Sequence, residues 1–261
     1  MAPLVTRDTK LSRNEHEQWR DAIAWQPPEE TGLVIRDDLS SASWIGPLLD
    51  PGSYEVGMTA PGGFDAYARI CFPFVAGRIT ADGQAFEEHM TWREVANRNG
   101  RIAHALMEKE AIQRTGSEAV RCSGSLAPEQ LGALLPILFR HTQSSFGWFL
   151  LWEGWGDLAP GIFSEARPRI SHPTRNHFLL RGPLHAYRSL PHDPNYCWPD
   201  DRAWCLCTDT DLDWAYIAGS VALVDEIISI RTMDAFETQP HDPARLGMDV
   251  VNDPDGTVSR P

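Results

Sequence analysis

Residues 146 to 153 read F-G-W-F-L-L-W-E, an almost unbroken apolar run that ends in a carboxylate. The run has the length of a strand and no polar residue at alternate positions, so it has no face to give to water. It predicts a strand buried on both sides, and that commits the fold to a sheet with packed material above and below it. Similar shorter runs lie at His177 to Arg181, Trp204 to Cys207 and Trp214 to Ala218. The chain, at 261 residues, is long enough to cover such a sheet without disulfide or metal staples.

Helix signals surround these runs. Ser12 with Glu15 forms a capping box, and Trp19, Ala22 and Ile23 recur at helical spacing, which predicts a helix over residues 13 to 25 stopped by Pro27 and Pro28. Thr91 with Glu94 forms a second box whose helix Gly100 would end. Leu126 to His141 places Leu131, Leu134, Leu135 and Leu138 on one stripe, with a kink or break expected at Pro136. Ser220 is set to cap a helix through Ala222 to Ile230. Between Gly32 and Gly63 the pattern is loops with one or two brief strands, and Phe64 to Phe74 reads as a strand closed by Pro73.

Strands and helices do not alternate as βαβ units, so the expected fold class is α+β, a largely antiparallel central sheet flanked by helices. Residues 1–240 are expected to form a single domain. Residues 241–261, polar and rich in proline, are expected to be a mobile tail. The start of the chain lacks the layout of a secretory signal and no run approaches 18 apolar residues, which places the protein in the cytoplasm. Five cysteines, an odd number, then read as reduced thiols packed as small apolar groups.

Charge narrows the partners. Acidic side chains number 36 against 23 basic ones, a formal net charge of -13. Such a surface disfavours nucleic acid and anionic membrane. No H-E-x-x-H, G-x-S-x-G, phosphate-binding loop or dinucleotide fingerprint occurs, so neither a bound metal nor a cofactor is expected.

Candidate chemistry lies in the second half. Thr208 to Trp214 reads T-D-T-D-L-D-W; on a strand, Asp209, Asp211 and Asp213 would share a face about 6.6 Å apart and suit a hard cation. The same residues suit a hairpin turn, where Asp bonds local backbone donors, and this is the favoured reading. Trp198 and Trp204 frame Asp200, Asp201 and Arg202, a set that can grip a polar ligand between indoles or simply form an Asp-rich turn. Trp152, Glu153 and Trp155, with Gly154 and Gly156 between and after them, put a carboxylate beside two indoles at the end of the most apolar strand.

The blocks W-P-D-D-R-A-W-C (198 to 205), T-D-x-D-L-x-W-x-Y-I-x-G-S (208 to 220), A-L-V-D (222 to 225) and G-F-D-A-Y-A-R-I (63 to 70) resemble a family of soluble actinomycete proteins. The resemblance covers roughly residues 60 to 240 and implies a single cytoplasmic domain, with no activity to carry over. In its acidic α+β character the chain is also loosely similar to immunity proteins of bacterial toxin systems, which act by binding a partner.

Two functional readings follow. The first is a non-catalytic binding or regulatory protein, immunity-like, acting through a protein partner of basic character. The alternative is a small-ligand-binding protein or enzyme with a pocket lined by Trp148, Trp152, Trp155, Trp198, Trp204 and Trp214, and with Glu153, Asp200, Asp201 and Arg202 as its polar groups. Convergence of those four charged residues on one cavity favours the pocket; dispersal favours the interaction module.

Overall fold

The computed structural model describes residues 24–79, 82, 84–113, 121–172, 175–245 and 247–255. The capping box at Ser12 and the helix body expected up to Ile23 lie outside the described residues. Trp25, at the expected helix end, forms an isolated bridge with Leu158.

The element order is β1 (Val34–Arg36), β2 (Ala66–Cys71), β3 (Phe74–Ile79), β4 (Ala85–Met90), α1 (Trp92–Arg98), α2 (Lys109–Ile112), β5 (Arg121–Cys122) and α3 (Pro128–Arg140), then β6 (Phe146–Trp152), β7 (Ile170–His172), β8 (Arg175–Pro183), β9 (Tyr196–Pro199), β10 (Cys205–Thr208), β11 (Trp214–Gly219), α4 (Val221–Ile228) and β12 (Ala235–Thr238). A nine-stranded sheet runs β1-β8-β6-β9-β10-β11-β2-β12, with β7 also on β8, and a small sheet runs β4-β3-β5. Every strand pair in both sheets is antiparallel.

Strand β6 lies inside the large sheet between β8 and β9, as its composition requires. Alternate residues sort the sheet into two cores, because successive side chains leave a strand on opposite faces. One face is mostly aliphatic: Ile70, Phe149, Leu151, Leu180, Leu206 and Ile217 pack against Leu134, Leu135 and Leu138 of α3 and Leu223, Val224 and Ile227 of α4. The other carries Tyr67, Leu150, Leu179, Tyr196, Trp198, Cys205, Cys207, Trp214 and Tyr216. It is covered mainly by loop residues such as Ala42, Ile45, Val56 and Met107, with Trp92 and Val95 of α1. Helices are few, and those that flank the large sheet gather mainly on its aliphatic face. Each fully buried Leu or Ile in these cores is worth about 1.5–3 kcal/mol, so the two-sided cover is where the stability of the sheet resides.

The local signals behave as their chemistry dictates. The Thr91 hydroxyl accepts from Glu94 N at 3.2 Å while Glu94 accepts from Thr91 N at 2.7 Å, and Gly100 follows the helix at φ +66°. Ser220 Oγ accepts from Leu223 N at 3.2 Å. Gly147 is required inside β6, since a Cβ there would meet Leu184 at 2.3 Å and the Trp198 carbonyl oxygen at 2.8 Å. Helix α3, by contrast, runs through Pro136 without the expected break. Pro136 faces solvent while its neighbours Leu134, Leu135, Ile137 and Leu138 are buried, so core packing on both sides of the proline holds the helix together.

The stretch after Gln239, expected to be a mobile tail, packs on the body at several of its described residues. Ala244 and Met248 belong to the second core, and Asp249 is 1% exposed. Asp249 accepts from Glu108 N at 3.1 Å and Asn252 N at 2.9 Å and lies 2.7 Å from His104 Nε2. Glu108 in turn accepts from the backbone of Gly247 and Asp249. Polar composition suggested mobility, but here each buried carboxylate is matched to backbone donors contributed by a distant segment. Among the described residues no helix is long and apolar enough to cross a membrane.

Candidate functional site

The residues singled out in the sequence do not converge on one place. Trp198 and Trp204, both 1% exposed, lie on opposite faces of the sheet. Trp204 donates from Nε1 to the Leu138 carbonyl of α3 at 2.9 Å, and Trp198 packs edge-on against Trp44 at 5.8 Å. They are core residues and do not frame one pocket.

Between them, Asp200, Asp201 and Arg202 form the β9–β10 turn, closed by Arg202 N donating to the Pro199 carbonyl at 2.9 Å. Asp201 accepts from the Thr142 hydroxyl and Gln143 N at 2.8 Å and from Ala203 N at 3.1 Å, which ties the turn to the loop after α3. Burial opposes its charge, but these donors, led by Gln143 N–H, hold its carboxyl below the usual range. Asp200 pairs with Arg181 at 2.7 Å, and Arg202, at φ +54°, sets its guanidinium 5.2 Å from the Trp44 ring.

At the opposite end of β6, Glu153 accepts from Asn176 Nδ2 at 2.7 Å and pairs with Arg169 at 3.0 Å. Gly154 is needed there because a Cβ would meet the Trp152 ring at 2.2 Å. The carboxylates of Thr208 to Trp214 take the hairpin-turn form: Asp209 Oδ1 accepts from Asp211 N at 2.9 Å, Arg175 bridges Asp209 and Asp211, and Lys109 takes Asp213 at 2.6 Å. Among the described residues no three His, Cys, Asp or Glu side chains are placed to hold a metal ion.

Two singled-out indoles reach cavities: Trp214 is in the wall of a cleft of about 240 Å³ with Glu108, Lys109 and Asp213, and Trp155 reaches another. Trp155 forms part of the wall of a cleft of about 260 Å³ between the loop before α3, the Leu184–Ser189 turn and the end of β10. That turn is a 3-10 helix that buries Leu184, Ala186 and Tyr187 and leaves Arg188 outside. The next residues, Pro191-His192-Asp193-Pro194, put two titratable groups between prolines that fix φ.

Trp155 and His192 stack in the cleft wall with centroids 3.7 Å apart and planes 10° apart. His192 Nε2 lies 2.9 Å from both carboxylate oxygens of Asp157, so this nitrogen carries the proton and Nδ1 is the uncommitted one. Beside it, Asp193 accepts from the Tyr187 hydroxyl at 2.9 Å and from Leu126 N at 2.8 Å. Burial raises the Asp193 carboxyl above its ordinary value, against the pull of Leu126, Tyr187 and His192. The cleft thus combines an aromatic stack, a histidine oriented by a carboxylate, a carboxyl displaced toward neutrality and the guanidinium of Arg188, with Phe72, Leu126, Leu131 and Leu190 as its apolar wall.

A further cleft, of about 300 Å³, lies between β4, the start of α3 and Asp234. Its charges are spent on one another: Glu87 pairs with Arg121 at 2.8 Å, Asp234 with Arg93 at 2.9 Å, and Glu129 lies 3.4 Å from His89. Its one thiol, Cys71, is pushed up to about 12 by burial.

Tyr187, Arg188 and Asp193 were not among the candidates drawn from the sequence. Their one local signal was the titratable pair His192-Asp193 enclosed by Pro191 and Pro194, since two prolines around titratable residues mark a rigid turn. No protein-family profile, curated protein or solved structure matches the chain.

Proposed function

We propose that the protein binds a small molecule in the Trp155–His192–Asp193 cleft. The observation that carries this reading is the assembly of Trp155, Tyr187, Arg188, His192 and Asp193 around one cavity of about 260 Å³, with a carboxyl raised by burial in its wall. Displaced titratable groups beside an aromatic stack in a cleft are the usual mark of a ligand site. The volume is near the lower end of the roughly 300–1,000 Å³ usual for such sites, which suits a metabolite of modest size. The resemblance to actinomycete proteins contributes nothing to ligand choice: its W-P-D-D-R-A-W-C and T-D-x-D-L-x-W blocks fall on β9, β10 and β11 and the turns between them, where they serve the sheet. The five cysteines are all unpaired, which supports a reducing compartment such as the cytoplasm.

Thermal unfolding against a metabolite panel tests the reading, because a ligand that binds only the folded state raises the midpoint by mass action. Ser125 is exposed at the cleft, so Ser125→Trp fills the opening without disturbing the core. Hits that raise the wild-type midpoint and lose their effect in this variant support the site; hits that act equally on both contradict it.

A second reading, a partner-binding module, rests on the net charge of -13. It predicts stoichiometric recovery of a basic protein that dissociates at high salt. If only acidic or salt-insensitive partners were recovered, that reading would be lost.

A further inference from the structure

The hydrogen-bonding capacity of the cleft is unevenly used. Its carboxylates are engaged: the oxygens of Asp193 take Tyr187 and Leu126 N–H, Asp209 Oδ1 takes Arg175 and Asp211 N–H, and Asp157 behind His192 takes Nε2. Its donors are not. The indole N–H of Trp155 is shielded from water and has no hydrogen-bond partner among the described residues. Arg188 makes one bond of 3.3 Å to the Leu131 carbonyl and, among the described residues, no ion pair. An orphaned buried donor is costly, and a guanidinium without a counter-ion is conspicuous in a chain of net charge -13. An occupant that offers acceptors gives the Arg188 guanidinium the partner it lacks among the described residues. One that offers donors finds carboxylates that are already engaged and the Nδ1 of His192.

We propose that the ligand of this cleft is a small carboxylate with an apolar or aromatic body. The fork of Arg188 takes the carboxylate, and Leu126, Leu131 and Leu190 cover its body. The planar fork matches a carboxylate in two parallel bonds, which sets the charge and the shape of the group together. This inference rests on the cleft being the ligand site.

Isothermal titration at low salt with benzoate, phenylphosphate, benzamide and benzylamine, on wild type and Arg188→Gln, tests it. Arg188 is exposed, so the variant is expected to keep the wild-type unfolding midpoint, and that is checked first. The expected result is saturable binding of benzoate, tighter than that of the other three, weakened at least tenfold by Arg188→Gln while benzamide is unchanged. Benzamide or benzylamine binding as tightly as benzoate overturns the anion, phenylphosphate binding more tightly overturns the carboxylate, and an unchanged benzoate affinity in the variant overturns the role of Arg188. Failure of all four probes also overturns the proposal. In that case a panel hit abolished by Ser125→Trp would leave the cleft standing as a site for another class of ligand.

Discussion

Tyr187→Phe removes a polar contact that joins the cleft to the core. Tyr187 is 3% exposed, its hydroxyl donates to Asp193 at 2.9 Å, and its ring packs edge-on against Phe149 at 6.4 Å. The substitution leaves the ring packing in place and removes a hydrogen bond to a carboxylate, worth about 1.5–3 kcal/mol when the acceptor is charged and about 0.5–1.5 kcal/mol when it is neutral. Leu126 N–H remains, and water from the cleft can replace part of the loss, so the lower half of the first range is expected at neutral pH. The pH dependence has a definite sign. The folded Asp193 carboxyl lies above its unfolded value, so its ionised form is penalised in the fold; that penalty is absent below the unfolded value and complete above the folded one. Tyr187 is one of the contacts that reduce the penalty. Its removal therefore costs more as pH rises through the Asp193 transition. Urea unfolding of both proteins from about pH 4 to about pH 7.5 measures the difference directly. A cost that is flat across this window, larger at the acid end, or below about 0.5 kcal/mol throughout would refute the reasoning.

Other perturbations probe the rest of the account. Trp204→Phe loses the bond to Leu138 and opens space between β10 and α3, so it should cost about 2–3 kcal/mol by urea unfolding; a cost under about 1 kcal/mol would contradict its place in the core. Removal of residues 239 to 261 takes Met248 out of the core and leaves Glu108 without the backbone donors of Gly247 and Asp249, a loss of about 3–5 kcal/mol where a mobile tail would cost nothing measurable. Burial raises the thiols of Cys197 and Cys207 and pushes Cys71 and Cys122 up to about 12, so at about pH 8 the folded protein should react slowly with a disulfide reagent and the unfolded protein at once. Rapid modification of Cys71, Cys197 or Cys207 in the folded state would contradict their burial.

Much of the scaffold was legible because its causes are local. The uncharged runs of β6, β10 and β11 and the caps at Thr91 and Ser220 need only neighbours within a few residues. The hairpin at Asp209 was also legible, since an Asx turn is made by a side chain and its own backbone. Three features were not. The continuity of α3 through Pro136 depends on Leu134 and Ile137 finding a sheet to pack on, and the order of the residues along the helix cannot report that. The packing of Ala244, Met248 and Asp249 depends on Glu108 and His104, about 140 residues earlier. The cleft joins Trp155 to His192 and Leu126 to Asp193, the latter across 67 residues, so two of the indoles that clustered in sequence, Trp198 and Trp204, went to opposite faces of the sheet while the cleft drew its side chains from separate segments. Of the eight ligand-binding candidates, Trp152, Glu153, Trp155, Trp198, Asp200, Asp201, Arg202 and Trp204, Trp155 alone is in the cleft wall.

The indole N–H resonance of Trp155 is the most direct witness to the central claim, because its ring is in the cleft wall, stacked on His192, and the N–H has no protein partner among the described residues. In a two-dimensional proton–nitrogen spectrum, with the peak assigned through Trp155→Phe, titration of wild type with any hit from the thermal panel should move this resonance saturably, and Ser125→Trp should abolish the movement. Hits that leave Trp155 unmoved while shifting the indoles of Trp44 or Trp148 would contradict the cleft and place the site at the other end of β6.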